Sequence, residues 1–389
     1  MVVGLSGGVD SSVAAYLLKE QGYDVTALFM INWHDKTGVI DADCPWDEDV
    51  VFAEMVAKKL DIPFHMVDLS KPYRERVIDY MFSEYQKGRT PNPDVLCNRE
   101  IKFDAFLKAA EKYTPDYVAT GHYCKKVTTE ENGTAVHHLL AGDDPNKEQS
   151  YFLCQLSQEQ LARTLFPIGH MHKPEVREIA KNKGLASADK KDSQGICFVG
   201  KVHLPVFLQQ KLRAKEGNIF EIPSDLPQYS VEKQNRADME SVCSPWSYVK
   251  ENGIWVGKHQ GAHFFTVGQR KGLQVGGKAE PLFVLSTDVK DNRIYVGQGQ
   301  SHPGLYRRGL KIICSEVHWI RKDQVMEPGD SRDYLVRIRY RQPLQEATLH
   351  MTDDGMYIVF RKRQRGVAAG QFAAWYQKDE LIGSGVIHR

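Results

Sequence analysis

Apolar and polar positions in the first 200 residues follow two alternating periods. Val2 to Leu5 is a short apolar run, and Val25 to Ile31 is nearly continuous, as expected of a strand covered on both faces. Ile62 to Leu69 and Asp116 to Tyr123 read as further strands. Between them, helical spacing recurs. Val13, Ala14, Leu17 and Leu18 share one face, closed by Gly22, and Phe52, Met55, Val56 and Leu60 share another. Phe103, Phe106, Leu107 and Ala110 form a third stripe, and Ser157-Gln158-Glu159-Gln160 fits a capping box opening a helix. Strands alternating with helices predict right-handed βαβ units, hence an α/β fold with a doubly wound parallel sheet. Ligands in such sheets bind at the carboxyl ends of the strands.

The texture changes after about residue 205. Residues 217 to 260 are rich in Gly, Pro, Ser and Asn, with weak periodicity, and part of this stretch reads as a long loop. Short strand-like runs follow: Phe283 to Leu285, Arg293 to Val296, Tyr334 to Tyr340, Ala347 to Met351 and Tyr357 to Phe360. The expected organisation is a catalytic domain over 1–205, a small central domain with a long insertion over 206–290, and a C-terminal β-barrel over 291–389.

Fifty-one basic residues against fifty acidic ones give a net charge of +1, which excludes a globally basic nucleic-acid coat and leaves room for a local basic surface. No apolar run approaches the roughly 18 residues of a membrane span, and the given start lacks a basic, apolar export signal, so a cytoplasmic protein is expected. The seven cysteines, at 44, 97, 124, 154, 197, 243 and 314, show no disulfide-framework spacing and suit a reducing compartment. An iron–sulfur cluster on Cys44, Cys97 and Cys197 is disfavoured because their spacing is not a ferredoxin pattern, and no CxxC pair suggests structural zinc. Asn132-Gly133-Thr134 is a glycosylation sequon by letter only, irrelevant in cytosol.

The strongest single motif is Ser6-Gly7-Gly8-Val9-Asp10-Ser11-Ser12, between the first strand and the first helix. Its glycines let several N–H groups turn toward one point, the helix adds its positive end, and Asp10 can position Mg²⁺ or the loop itself. No Lys follows, so it is not a Walker A loop; Gly272 to Lys278 comes closer, but Ala279 replaces the hydroxyl, and that segment reads as a loop. Two further segments carry thiols. Gly88-Arg89-Thr90-Pro91-Asn92-Pro93-Asp94-Val95-Leu96-Cys97-Asn98 has two prolines that stiffen the chain, and Cys97 stands just before a predicted helix, whose N-terminus lowers a thiol pKa. Cys197, in Lys190-Lys191-Asp192-Ser193-Gln194-Gly195-Ile196-Cys197-Phe198, stands among lysines and a flexible Gly. Singly, each cysteine is as easily structural as reactive. Arg337-Ile338-Arg339-Tyr340-Arg341 alternates strictly, which in a strand puts three arginines on one face, and Arg361 to Arg365 adds a second basic cluster.

Ser-Gly-Gly-x-Asp-Ser after the first strand resembles the PP-loop of the ATP pyrophosphatase superfamily, with its adenine nucleotide alpha hydrolase-like fold. Together with Phe29-Met30-x-Asn32-Trp33, Gly88 to Cys97, Ile101-Lys102-Phe103, Ala119 to Tyr123, Gln149 to Leu153, Gly195 to Phe198, Thr266 to Leu273 and Gly370-Gln371, it resembles the tRNA-specific 2-thiouridylase family over nearly the whole chain. The resemblance implies adenylation of the wobble uridine by ATP, with Mg²⁺ on the phosphates. Sulfur then passes from a persulfide on Cys197, supplied by a donor protein, with release of AMP and pyrophosphate and a transient Cys97–Cys197 disulfide. It implies Asp94 as general acid/base. ATP contacts would fall at Gly4, Leu5, Ser6, Gly7, Gly8, Val9, Asp10, Ser11, Met30 and Gly121. tRNA contacts would fall at Asn92, Pro93, Asp94, His122, Lys147, Glu148, Gln149, Arg339, Tyr340 and Gln371. A PP-loop ligase acting on a small molecule, or a nucleotide-sensing RNA-binding protein without turnover, would need neither cysteine.

Overall fold

The computed structural model describes residues 1–34, 46–192, 195, 197, 204–230 and 238–388. Cys44, Ser193, Gln194, Ile196 and Phe198, singled out above, lie outside the described residues.

The first sheet contains β1 (Val2–Gly4), β2 (Thr26–Ile31), β3 (Phe64–Asp68) and β4 (Val118–Ala119). A hairpin of β5 (Cys124–Glu131) and β6 (Thr134–Ala141) intervenes before β7 (Thr164–Leu165) closes the same sheet. The order is β3-β2-β1-β4-β7, all parallel. α1 (Val9–Glu20), α2 (Asp47–Leu60) and α3 (Lys173–Asn182) cover one face, burying Val13, Ala14, Leu18, Val56 and Val176 against Val3, Leu5 and Phe29. The helical run from Ser70 to Ala110 covers the other, with Tyr73, Val77, Phe103 and Phe106 packed on Val2, Leu28 and Met30. Fully burying a ring such as Phe106 contributes about 1.5–3 kcal/mol. Because β1 is flanked by β2 on one side and β4 on the other, the order reverses at β1, and a crevice opens beyond the carboxyl ends of β1 and β4.

The strand expected over Asp116 to Tyr123 is confined to Val118–Ala119. The chain bends away there because Gly121 lies against the start of α1; a Cβ on Gly121 would stand 2.7 Å from Ser11 N. The hairpin β5–β6 turns at Asn132 (φ 51°) and Gly133 (φ 76°), so the sequon letters are the Asn-Gly of a tight turn.

A second sheet is ordered β10-β11-β8-β9, from β8 (Gly217–Glu221), β9 (Ile254–His259), β10 (Leu282–Asp288) and β11 (Arg293–Gln298). Residues 217 to 260, part of which read as a long loop, thus hold two strands and the helix Met239–Cys243. β9 is an edge strand with Ile254 and Trp255 exposed, which is why its periodicity is weak. Gly272 to Lys278 forms no helix or strand. The expected boundary between residues 290 and 291 falls in the turn of the β10–β11 hairpin.

The third sheet carries β12 (Tyr306–Ile312), β13 (Val317–Trp319), β14 (Ser331–Arg337), β15 (Gln345–Thr352), β16 (Gly355–Arg365), β17 (Phe372–Gln377) and β18 (Glu380–Val386). They wrap a core of Ile358, Phe360, Leu349 and Trp375. Its order, β12-β16-β15-β14-β17-β18-β6-β5, takes in the hairpin from the first half of the chain through Glu380–Leu140 and Leu381–Leu139 pairing. No helix among the described residues is long and apolar enough to cross a membrane.

Candidate active site

Ser6 to Ser11 leave the end of β1 and enter α1 in the crevice between β1 and β4. Gly7 has φ +73°, and a Cβ there would collide with Asp49 O at 2.1 Å, so only glycine completes the turn. The loop is braced from within. Ser6 N donates to Ser11 Oγ (3.1 Å), and the Ser11 and Ser12 hydroxyls donate to Gly8 O (3.1 and 2.8 Å). Ser6 is exposed and Gly8 and Asp10 are half-buried, which leaves a mouth at the N-terminus of α1, where first-turn N–H groups have no intrahelical partner. Gly4 lies at the end of β1 with Met30 on the neighbouring strand, and Leu5 and Val9 are buried. Gly121 abuts Ser11, so all the residues expected at ATP line this one junction or its immediate support.

A lysine does reach the loop, from far along the chain. Lys173, the first residue of α3, is buried, and its Nζ donates to Asp10 Oδ1 and Asp192 Oδ1, both at 2.7 Å. Tyr123 Oη also donates to Asp10 Oδ1 (2.8 Å). Asp192 stands just before the Cys197 segment and further pairs with Arg177 (2.9 Å) and Lys147. Burial alone would raise the Asp192 carboxyl; hydrogen bonds from Lys147 and Lys173 hold it down at about 2. One carboxylate–lysine chain therefore runs from the phosphate loop to the root of the second thiol segment. Sequence reading misses Lys173 because no local spacing links it to a loop 163 residues away.

The two thiols meet. Asn92 Oδ1 caps the short helix Pro93–Leu96 by accepting from Val95 N (3.2 Å), with Pro93 at the first helical position. The helix continues through Cys97–Ala105 in wide turns, shown by Phe106 N donating to Ile101 O. Asp94 and Cys97, three residues apart, share a face. Asp94 Oδ1 accepts from Cys197 N (3.1 Å), Tyr73 Oη donates to Cys197 O (2.6 Å), and the Cys97 and Cys197 side chains are hydrogen-bonded to each other. Asn98 Nδ2 holds the turn by donating to Asp94 O (3.0 Å) and Phe152 O (3.2 Å).

Their electrostatics differ from the sequence expectation. Cys97 lies inside the helix, fully buried, and burial pushes its thiol well up, reinforced by Cys197 opposite; the helix end does not make it a thiolate. Cys197 is the thiol held down, by the hydrogen bond from Cys97 and by the Lys102 ammonium. Burial raises the Asp94 carboxyl, against the Cys197 N–H and Lys102. His122 is buried between Phe103 and Phe166, hydrogen-bonded to Thr120 Oγ1 (2.8 Å), and burial together with Lys102 keeps it neutral. Lys102 is thus the residue beside the thiol pair most easily overlooked. It lies inside a quoted motif, but an ordinary helix would turn it about 140° away from Cys97.

The residues expected at tRNA divide in two. Glu148 forms a buried pair with Arg337 (2.8 Å), and Gln149 Oε1 accepts from Tyr123 N (3.0 Å), so both serve the framework. Gln371 Nε2 donates to Thr90 O (2.9 Å) and stands beside Asn92, joining the proline-stiffened loop to the barrel. The three arginines do not share a strand face. β14 ends at Arg337, which turns inward to Glu148; Arg339 and Arg341 follow in an exposed turn, Arg341 at φ +63°. Arg339 donates to Arg365 O (2.8 Å), and Tyr340 packs on Phe152 at a centroid distance of 4.3 Å. Arg361, Lys362 and Arg363 are exposed on β16. Among the described residues, no cluster of three or more His, Cys, Asp or Glu is arranged to hold a metal ion.

Family models match three consecutive parts of the chain. They are a tRNA methyl transferase HUP domain over 1–201, a tRNA methyl transferase PRC-barrel domain over 247–298, and an aminomethyltransferase beta-barrel domain over 310–387. Three curated relatives bear the name tRNA-specific 2-thiouridylase MnmA. That of Christiangramia forsetii is 59% identical over all of this chain and 99% of its own length. Those of Karelsulcia muelleri and Halalkalibacterium halodurans are 45% and 43% identical, over all of this chain and 98% and 94% of theirs. With identity of this order along its entire length, the chain belongs to the tRNA-specific 2-thiouridylase family and is a tRNA sulfurtransferase.

Proposed function

We propose that this chain converts the wobble uridine of tRNA to 2-thiouridine, using ATP to activate C2 and a persulfide on Cys197 as the sulfur source. The observation that carries this reading is the contact between the two thiols, beside Asp94 and Lys102. The family-model descriptions speak of methyl transfer, but a pair of thiols in contact suits sulfur transfer.

The C2 carbonyl of uridine is urea-like, a poor electrophile with a poor leaving group. Attack of its oxygen on the α-phosphorus of ATP expels pyrophosphate and makes AMP the leaving group. The loop N–H groups, the α1 terminus and Lys173 suit the phosphates. Mg²⁺ fits as an ion carried largely by phosphate oxygens, with Asp10 the carboxylate at the loop, and when bound it supplies charge neutralisation there. The terminal persulfide sulfur attacks C2 and AMP departs. The Cys97 sulfur then attacks the Cys197 sulfur, forming the disulfide and releasing the thiolated base, and Asp94 accepts the Cys97 proton. In the other order, Cys97 attacks first and frees sulfide beside the activated base. A Cys97 thiol pushed up by burial, facing a Cys197 thiol held down by Cys97 and Lys102, favours the order in which Cys97 acts last. An external dithiol must then reduce the disulfide. A wobble base is already single-stranded, so extruding it into the crevice costs little. Asn92, Pro93, His122, Lys147, Arg339, Tyr340 and Gln371 frame the approach of the anticodon arm. The catalytic unit spans 1–205, and the barrel follows the central sheet, whose last strand β11 ends at Gln298.

The test is mass spectrometry of tRNA nucleosides after incubation with ATP and a persulfide-bearing donor protein. Expected is 2-thiouridine that requires ATP and disappears in Cys97→Ser and Cys197→Ser while tRNA binding persists. Full activity in either variant overturns the relay.

A further inference from the structure

We propose that Lys102 is the counter-cation of the reactive sulfur: its ammonium group hydrogen-bonds to Cys197 and holds that sulfur as an anion, as thiol or as persulfide. This deepens the function proposed above, resting on it only in naming Cys197 as the sulfur that reacts.

In an α-helix, residues five apart point about 140° away from each other. From Cys97 to Ala105 the helix is wound more widely, with i→i+5 hydrogen bonding, and each turn brings the fifth residue back to the same side. Lys102, five residues after Cys97, is thereby set under the thiol pair, where it bonds to Cys197 and faces Cys97 and Asp94. Wide turns of this kind cost helical regularity and recur at functional sites.

The neighbours define what the lysine does. Among the described residues, the groups facing Cys197 are the Cys97 thiol and the Asp94 carboxyl from one helix, the Tyr73 hydroxyl from the preceding helical run, and Lys102 itself; His122 faces Lys102 from beyond the end of β4. Tyr73 is kept protonated by burial and by the neighbouring Cys97, Cys197 and Asp94, and His122 is kept neutral. Among the described residues of this set, Lys102 is accordingly the one permanent cation, opposite two sulfurs and a carboxyl. Its own proton is retained against burial by Cys197, Cys97 and Asp94. A persulfide anion arriving on Cys197 would meet the same ammonium group.

The experiment needs neither tRNA nor ATP. The rate of iodoacetamide alkylation is measured against pH on the intact protein, with the label located on the Cys197 peptide by mass spectrometry. Expected for the wild type is a midpoint below the ordinary thiol value of about 8.5. Lys102→Gln should move it upward by about one pH unit or more, while Lys102→Arg, which keeps the charge, should stay near the wild type. A wild-type midpoint at or above the ordinary value overturns the proposal whether or not the variants fold, and so does a Lys102→Arg shift as large as that of Lys102→Gln. Failure of the wild type to form 2-thiouridine would sink the assigned reaction and leave this profile intact.

Discussion

Cys97 and Cys197 touch, yet they are held by different physics. Cys97 is one residue of a packed helix, fully buried, and its position follows from the aromatic side chains beneath that helix. Cys197 is half-buried and set by polar contacts: its N–H to Asp94, its carbonyl to Tyr73, its sulfur to Cys97 and Lys102. One sulfur is fixed by the core and its thiol is pushed up by burial; the other is tethered and its thiol is held down by Cys97 and Lys102. The relay proposed above would use this asymmetry, because a sulfur that is to be loaded must be reachable, whereas one that only resolves the product can stay buried.

The comparison can be broken from the packed side first. Phe103→Ala removes a ring that is 1% exposed on the buried side of the Cys97 helix itself and should cost about 3–5 kcal/mol, read by urea unfolding. A loss below about 1 kcal/mol would mean that the helix is not what positions Cys97. On the shared side, Asp94→Asn keeps an acceptor for Cys197 N–H but removes the base, and should slow thiolation about 100-fold with little change in stability. Since burial raises the Asp94 carboxyl, the acid limb of the wild-type rate should lie above the ordinary value of 3.8: the carboxylate is present above its raised pKa and lost as pH falls through it. An acid limb at the ordinary value would remove Asp94 from the proton path.

Tyr73→Phe sharpens the tethered side. It deletes the bond to Cys197 O, and about 1 kcal/mol of lost positioning corresponds to a roughly five-fold slower sulfur transfer at unchanged tRNA affinity. An unchanged rate would show that this tether is dispensable. Smallest is Arg339→Ala, expected to weaken tRNA binding a few-fold and to flatten its salt dependence by about one phosphate's worth, leaving the thiols alone. An unaltered salt slope would take Arg339 off the RNA surface.

Much of the fold can be read from the chain. The apolar runs at Val2 to Leu5 and Val25 to Ile31, the stripe on α1 and the capping box at Ser157 all locate elements, because each is buried on a definite face. β9 escapes such reading because an edge strand with exposed Ile254 and Trp255 has no buried face to reveal it. The Arg337 to Arg341 alternation misleads for the opposite reason. Arg337 is claimed by Glu148, 189 residues earlier in the chain, and the strand ends with it. The site divides similarly. The phosphate loop is a local motif and is visible as such. Lys173 and Lys102 act through a long-range approach and a helix register, which residue spacing does not carry.

The hairpin β5–β6 has a last consequence. By pairing β6 with β18, it stitches a piece of the nucleotide-handling half into the wall of the barrel. A polypeptide ended near residue 300 would bare the β6 margin and offer Leu139 and Leu140 to whatever strand came by. The two ends of this enzyme are therefore expected to melt in one transition.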